Sequence, residues 1–151
     1  MNILVPVDGS PYSEKAVETA LDFVRAKAAE IHVISVIPDI PGMDDHEISP
    51  ARRERHVGQM EEKARQAVEK AVGYFKSQGA QAPATAATLV APVSVPDTIL
   101  DFAEEKGVDL IILGTRGTSG SERYRMGSVA TKVVKYSPSS VYLVKLRESG
   151  K

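Results

Sequence analysis

Residues 109–117 read Asp109-Leu110-Ile111-Ile112-Leu113-Gly114-Thr115-Arg116-Gly117, an unbroken block of large apolar residues followed by a turn bracketed by glycines. A strand that is apolar on successive residues, with no alternation, is stable only where both of its faces are covered. Ile3-Leu4-Val5 has the same character, so both runs are expected to be inner strands of a parallel sheet with helices on its two faces. The runs at 2–7, 31–37, 85–90, 109–114 and 141–146 supply the strands.

Segments of helical spacing lie between them. The first turns Ala16, Val17, Ala20, Leu21 and Val24 to one side, with Ser10 as N-cap and Pro11 at the first helical position. The second places Met60, Ala64, Ala67, Val68, Ala71, Val72 and Phe75 on one face and meets Gly79 just past its end. A third, at 96–106, is expected to bury Ile99, Leu100 and Ala103, and a fourth opens at Gly127-Ser128 with Val129, Ala130, Val133 and Val134 inward. The stretch 38–58, with its prolines, acids and Arg52, Arg53 and Arg55, reads as a mobile excursion ahead of the second helix. Strand alternating with helix gives an open, doubly wound α/β fold.

At 151 residues the chain is expected to form one domain. Its 19 basic and 20 acidic residues leave a net charge of −1, so no global field draws nucleic acid or anionic lipid, and no aromatics interleave with the arginine cluster to stack bases. No apolar run approaches the roughly 20 residues of a membrane span. Met1 leads straight into the first strand without a signal pattern, so a cytoplasmic location is expected. The absence of cysteine excludes disulfides, thiolate nucleophiles and cysteine-ligated zinc.

Chemistry concentrates where the central runs end. Gly114 and Gly117 are expected to turn the chain sharply and to keep Cβ atoms out of a ligand's way. Nine residues later Gly127-Ser128 open a helix whose free N–H groups suit an anion. Arg116 offers a charge-assisted hydrogen bond, and the Ser128 hydroxyl either caps the helix or meets a phosphate oxygen. Asp8-Gly9-Ser10 closes the first strand, where Pro6 removes a ladder hydrogen bond and marks a break in pairing. If the first and fourth strands are neighbours, strand order reverses between them, and Asp8 and Gly114 face one crevice. Asp8 then meets a ribose hydroxyl or a Mg²⁺ that bridges phosphates.

Catalytic constellations are scarce. His32 lies inside a strand pattern, His46 and His56 fall in or after the excursion, and no pair has metal-ligand spacing. The pairs Asp44-Asp45, Glu61-Glu62 and Glu104-Glu105 read as solvated surface. There is no G-x-x-x-x-G-K-[ST] loop and no G-x-G-x-x-G after the first strand. The third strand ends Leu89-Val90-Ala91-Pro92, without the acid a phospho-acceptor receiver needs, and Asp8-Gly9-Ser10-Pro11 is not the S-G-G-x-D-S loop of an adenylating enzyme.

Ile3-Leu4-Val5-Pro6-Val7-Asp8-Gly9-Ser10, together with G-x-x-G, nine residues and G-[ST] at Gly114, Gly117, Gly127 and Ser128, resembles the ATP-binding branch of the universal stress proteins over essentially the whole chain. The resemblance implies a five-stranded parallel sheet in the order 3-2-1-4-5. It implies ATP with Mg²⁺ as ligand: Asp8 near ribose and metal, Val36 beside adenine, and a phosphate loop of Gly114, Arg116, Gly117, Gly127, Ser128, Val129 and Ala130, with Pro6 and Leu113 in the pocket wall. It further implies a homodimer through Val141-Tyr142-Leu143-Val144-Lys145-Leu146 that acts as a nucleotide-dependent regulator or stress-response protein on a protein partner still to be identified. Hydrolysis is expected to be slow at most, since no general base accompanies the loop. The competing reading is a slow ATPase or nucleotidyl-transfer enzyme with a second substrate, and AMP or ADP remain open as resident ligands. Two sites depart from the family pattern: Ser94 stands in place of a glycine, and the pair Ser139-Ser140 in place of Cys-Pro.

Overall fold

A computed structural model of the chain describes residues 1–39, 49–117 and 126–147. Its strands are β1 (Asn2–Pro6), β2 (Glu30–Ile37), β3 (Thr85–Val90), β4 (Leu110–Gly114) and β5 (Ser140–Val144). All pairings are parallel and the order is β3-β2-β1-β4-β5. The helices are α1 (Pro11–Ala26), α2 (Pro50–Ser77), α3 (Val95–Glu105) and α4 (Ser128–Tyr136).

The lack of alternation in β1 and β4 now has its cause. Ile3, Val5 and Ile112 pack with the apolar faces of α1 and α2, while Leu4, Ile111 and Leu113 pack with those of α3 and α4. Ile3, Leu4, Val5, Ile111 and Ile112 are all fully buried. Each such side chain contributes about 1.5–3 kcal/mol through apolar burial, which makes the two inner strands the spine of the core.

Several expectations need correcting. β1 ends at Pro6 rather than Val7, and β5 is shifted one residue earlier at its start and ends at Val144. α2 begins well inside the 38–58 stretch, because Ser49 and Pro50 repeat the start of α1: Ser49 Oγ accepts from Arg52 N at 3.3 Å as Ser10 Oγ accepts from Ser13 N at 3.2 Å. Arg52, Arg53, Arg55 and His56 therefore lie on exposed turns of α2. Asp44, Asp45 and His46 fall outside the described residues. In α3 the buried stripe is Pro96, Ile99, Phe102 and Ala103, with Leu100 only half-buried. In α4 only Ala130 and Val133 are buried and Val134 is 44% exposed, since this helix lies at the β5 end of the sheet where its covered stripe narrows.

The two family departures have structural consequences of their own. Ser94 Oγ caps α3, accepting from Asp97 N at 3.2 Å and donating to Asp97 Oδ2 at 2.6 Å. Ser139 Oγ donates to Val108 O at 2.8 Å, tying the approach of β5 to the segment entering β4.

His32 is a packing residue. Its Nδ1 lies 2.9 Å from Thr85 Oγ1, its ring meets Phe102 edge-on at 5.9 Å between centroids, and Nε2 has no partner among the described residues. Burial pushes its pKa below the usual histidine value.

Pairing between β1 and β4 is recorded only at Ile3↔Leu110 and Leu4↔Ile111, whereas β1 stays in register with β2 as far as Pro6↔Ile34. Val7 N donates to Ile34 O at 2.8 Å. Amides alternate in direction along a strand, so position 6 would direct an N–H toward β4, and proline has none. The sheet consequently opens between the tips of β1 and β4, at the point where strand order reverses.

Candidate functional site

That opening is a cleft of about 260 Å³ at the C-terminal ends of the strands. Every site residue singled out from the sequence lines it. Pro6 and Asp8 come from the exit of β1, Val36 from β2, and Leu113, Gly114, Arg116 and Gly117 from the exit of β4; Gly127, Ser128, Val129 and Ala130 open α4. Six more lining residues escaped the sequence reading: Val7, Ser13, Pro38, Val95, Ile99 and Thr115. Ile99 was legible as a core residue, and it is both, because the apolar face of α3 continues from the core into the cleft wall. Residues 118–125 of the nine-residue spacer fall outside the described residues.

The helix N-termini distinguish where an anion is welcome. α1, α2 and α3 are each capped by a serine hydroxyl, from Ser10, Ser49 and Ser94. α4 has Gly127 at its N-cap and no side-chain cap. Ser128 is its first helical residue, so the capping alternative for that hydroxyl is excluded. A helix start that borders a cleft with no side-chain cap leaves first-turn N–H groups for an outside acceptor.

The glycines also have close neighbours within the protein that the sequence does not reveal. None of Gly114, Gly117 and Gly127 has a positive φ. A Cβ on Gly114 would lie 2.5 Å from Tyr12 Cβ, so this glycine lets α1 close on β4. A Cβ on Gly117 would lie 2.7 Å from Asp8 Oδ2, so Gly117 admits the Asp8 carboxylate. Gly127 seats the start of α4 against the loop: its N–H donates to Thr115 O at 2.7 Å, and a Cβ there would come within 3.3 Å of the same oxygen.

Among the described lining residues the only charges are Asp8 and Arg116; Ser13, Thr115 and Ser128 add hydroxyls, and Val36, Pro38, Val95, Ile99, Leu113 and Val129 supply apolar wall. Asp8 Oδ1 accepts from Ser10 N at 2.9 Å, and Asp8 N donates to Ser13 Oγ at 3.3 Å. An apolar slot that leads to a backbone-lined, uncapped helix start matches a planar heterocycle bearing phosphate. Magnesium also fits the donors present. No group of three or more His, Cys, Asp or Glu side chains that could hold a metal ion occurs among the described residues. Mg²⁺ is commonly held by one carboxylate, substrate phosphates and water, and Asp8 supplies the carboxylate. The lining contains no histidine, so no general base other than Asp8 stands in the described cleft.

The family model described as "Universal stress protein family" matches residues 1–145. The Universal stress protein YxiE of Bacillus subtilis is 30% identical over 153 residues, covering 95% of this chain and 97% of the relative. Universal stress protein UspA from Lactobacillus plantarum superposes with a TM-score of 0.75 at 25% identity, covering 96% of this chain and 97% of that one. The universal stress protein from Archaeoglobus fulgidus solved in complex with dAMP superposes with a TM-score of 0.66 at 25% identity, covering 96% and 98% respectively. Among the described residues no helix is long and apolar enough to cross a membrane.

Proposed function

The chain belongs to the universal stress protein family, and from that premise we propose that it is an ATP-binding regulatory dimer, its nucleotide state read by a protein partner, with at most slow hydrolysis. One observation carries the reading: α4, which among the described residues lacks the side-chain cap that α1, α2 and α3 have, opens onto the same cleft as Gly117 and Asp8. In this arrangement Val36, Pro38, Val95 and Ile99 enclose the base, Asp8 meets ribose and cation, and the backbone of Gly117 and 127–130 receives phosphates beside Arg116. Bound Mg²⁺ would neutralise phosphate charge that otherwise faces the Asp8 carboxylate. The dAMP complex of the Archaeoglobus relative supports an adenine nucleotide as the class of ligand.

Calorimetric titration with AMP, ADP and ATP, each with Mg²⁺ and with chelator, tests this. ATP is expected to bind more tightly with Mg²⁺, and turnover to stay well under about 1 per second, the low end of typical enzymes. No binding overturns the proposal, and faster turnover replaces it with the enzyme reading. Asp8→Ala is expected to lose more affinity with Mg²⁺ than with chelator; an equal loss removes the metal role.

The dimer contact proposed is β5 against β5 of a second copy. β5 is the outer strand of the sheet beyond β4, and Tyr142 on it is 45% exposed. Strand edges left bare invite pairing. Sedimentation velocity on the intact chain is expected to give a dimer; a monomer at micromolar concentration overturns the contact.

A further inference from the structure

The β1–α1 corner contains a hydroxyl that neither the sequence pattern nor the phosphate cradle explains. Ser13 is a helical residue of α1, 5% exposed, and lines the cleft. Its Oγ donates to Ser10 O at 3.0 Å and accepts from Asp8 N at 3.3 Å, while its own N–H donates to Ser10 Oγ at 3.2 Å. Ser10 N in turn donates to Asp8 Oδ1 at 2.9 Å. The corner is thus a closed circuit: the main chain of Asp8 rests on Ser13, Ser13 on Ser10, and Ser10 on one oxygen of the Asp8 carboxylate.

The circuit has a directional result. Oδ1 is occupied from the side of α1, and Oδ2 is turned into the gap left by the missing side chain of Gly117, toward the loop that leads to α4. A carboxylate is a two-oxygen rotor, and an aspartate at the end of a strand ordinarily has several rotamers open to it. Here its backbone and one oxygen are fixed from a buried site, and the other oxygen faces the cleft. Ser10 contributes its side chain only to the helix cap, whereas Ser13 spends its hydroxyl on the two backbone groups that set where Asp8 sits.

We infer that Ser13 is a positioning residue that holds the Asp8 carboxylate with Oδ2 presented to a divalent cation, so that it governs the cation-dependent share of nucleotide affinity. This rests on the functional reading above. Removing the hydroxyl leaves Asp8 N without its buried acceptor and frees the corner to reorient the carboxylate, while the apolar slot and the α4 amides stay as they are.

The experiment is calorimetry of ATP with Mg²⁺, ATP with chelator, and AMP, on the wild type and on Ser13→Ala, Ser13→Thr and Ser10→Ala, with melting temperatures recorded beside them. Ser13→Ala is expected to lose at least fivefold of the affinity gain that Mg²⁺ confers on ATP, and to lose less than that for AMP, where only the ribose contact of Asp8 is affected. Ser13→Thr, which retains the hydroxyl, is expected to keep that gain. Ser10→Ala is expected to melt lower, since the α1 cap is gone, and still to respond to Mg²⁺, since both of its backbone contacts remain. A Ser13→Ala protein with the full Mg²⁺ gain overturns the assignment. So does a Ser10→Ala protein that loses the gain as completely, because the effect would then follow from a loosened helix start. Should Ser13→Ala not fold, Ser13→Thr decides: loss of the Mg²⁺ gain with AMP affinity unchanged, in a folded protein that still has the hydroxyl, overturns it. A wild type that binds no adenine nucleotide overturns the functional reading itself, and this assignment with it, and is told apart by the wild-type titrations alone.

Discussion

Gly117→Val is expected to weaken ATP binding at least tenfold, about 1.4 kcal/mol, with little change in melting temperature. A Cβ at this position would lie 2.7 Å from Asp8 Oδ2, closer than such atoms approach. Valine adds two methyl groups beyond that Cβ, at a backbone that borders the cleft. The carboxylate has to rotate away, at the expense of the Ser10 N–H bond to Oδ1, and the branched side chain then stands where phosphate oxygens would approach the loop. The fold is spared because Gly117 lies past the end of β4, is only partly buried, and belongs to neither apolar cluster. Its φ is not positive either, so valine meets no left-handed backbone. Titration calorimetry paired with thermal melts checks the outcome: wild-type affinity in a folded Gly117→Val protein means that the loop is structural and that the cradle has been assigned to the wrong place.

How much of this was legible in the sequence depends on the range of the interaction that imposes each feature. The inner strands were readable because covering both faces writes itself into successive residues, as in Ile3-Leu4-Val5 and Leu110-Ile111-Ile112-Leu113. The start of α1 was readable from Ser10 and Pro11. The same signature at Ser49 and Pro50 was overlooked because acids, prolines and arginines surround it and the apolar stripe of α2 begins later, with Ala64 its first buried member. The membership of the cleft was largely legible, since strand tips and a helix start are local features. Its far wall was not: Val95 and Ile99 reach the cleft only because α3 lies across the sheet there, and no spacing along the chain records that. The packing reason for Gly114 was hidden by the same cause. A glycine at a strand exit looks like a turn residue from its neighbours, and the atom that forbids a side chain there belongs to Tyr12, far upstream on α1.

That distant partner makes Gly114 the position where the smallest possible substitution has the largest expected effect on stability. In Gly114→Ala the new methyl would lie 2.5 Å from Tyr12 Cβ, 3.1 Å from the Tyr12 backbone carbon and 3.2 Å from Arg116 O. Two of the three are backbone atoms and the third is a Cβ, so no side-chain rotation relieves the overlap. α1 has to move off β4, although its Ala16, Val17, Ala20 and Leu21 are packed in one cluster with Ile3, Val5 and Ile112. Overpacking of this kind costs about 1–3 kcal/mol, occasionally more. For a chain of this size each kcal/mol lowers the melting temperature by about 2–4 °C, so a fall of roughly 2–12 °C is expected. The source of the strain predicts its own rescue pattern. Tyr12→Ala keeps the offending Cβ and is expected to recover nothing, whereas Tyr12→Gly removes it and is expected to recover part of the loss, less about 0.5–1 kcal/mol for a glycine in a helix. A double-mutant cycle reads that coupling directly. Full stability in Gly114→Ala, or equal rescue by both Tyr12 substitutions, would show that α1 and β4 are not held in contact at this point. The opposite signatures of the two glycines, stability lost at Gly114 and affinity lost at Gly117, would then have to be explained by something other than their different neighbours.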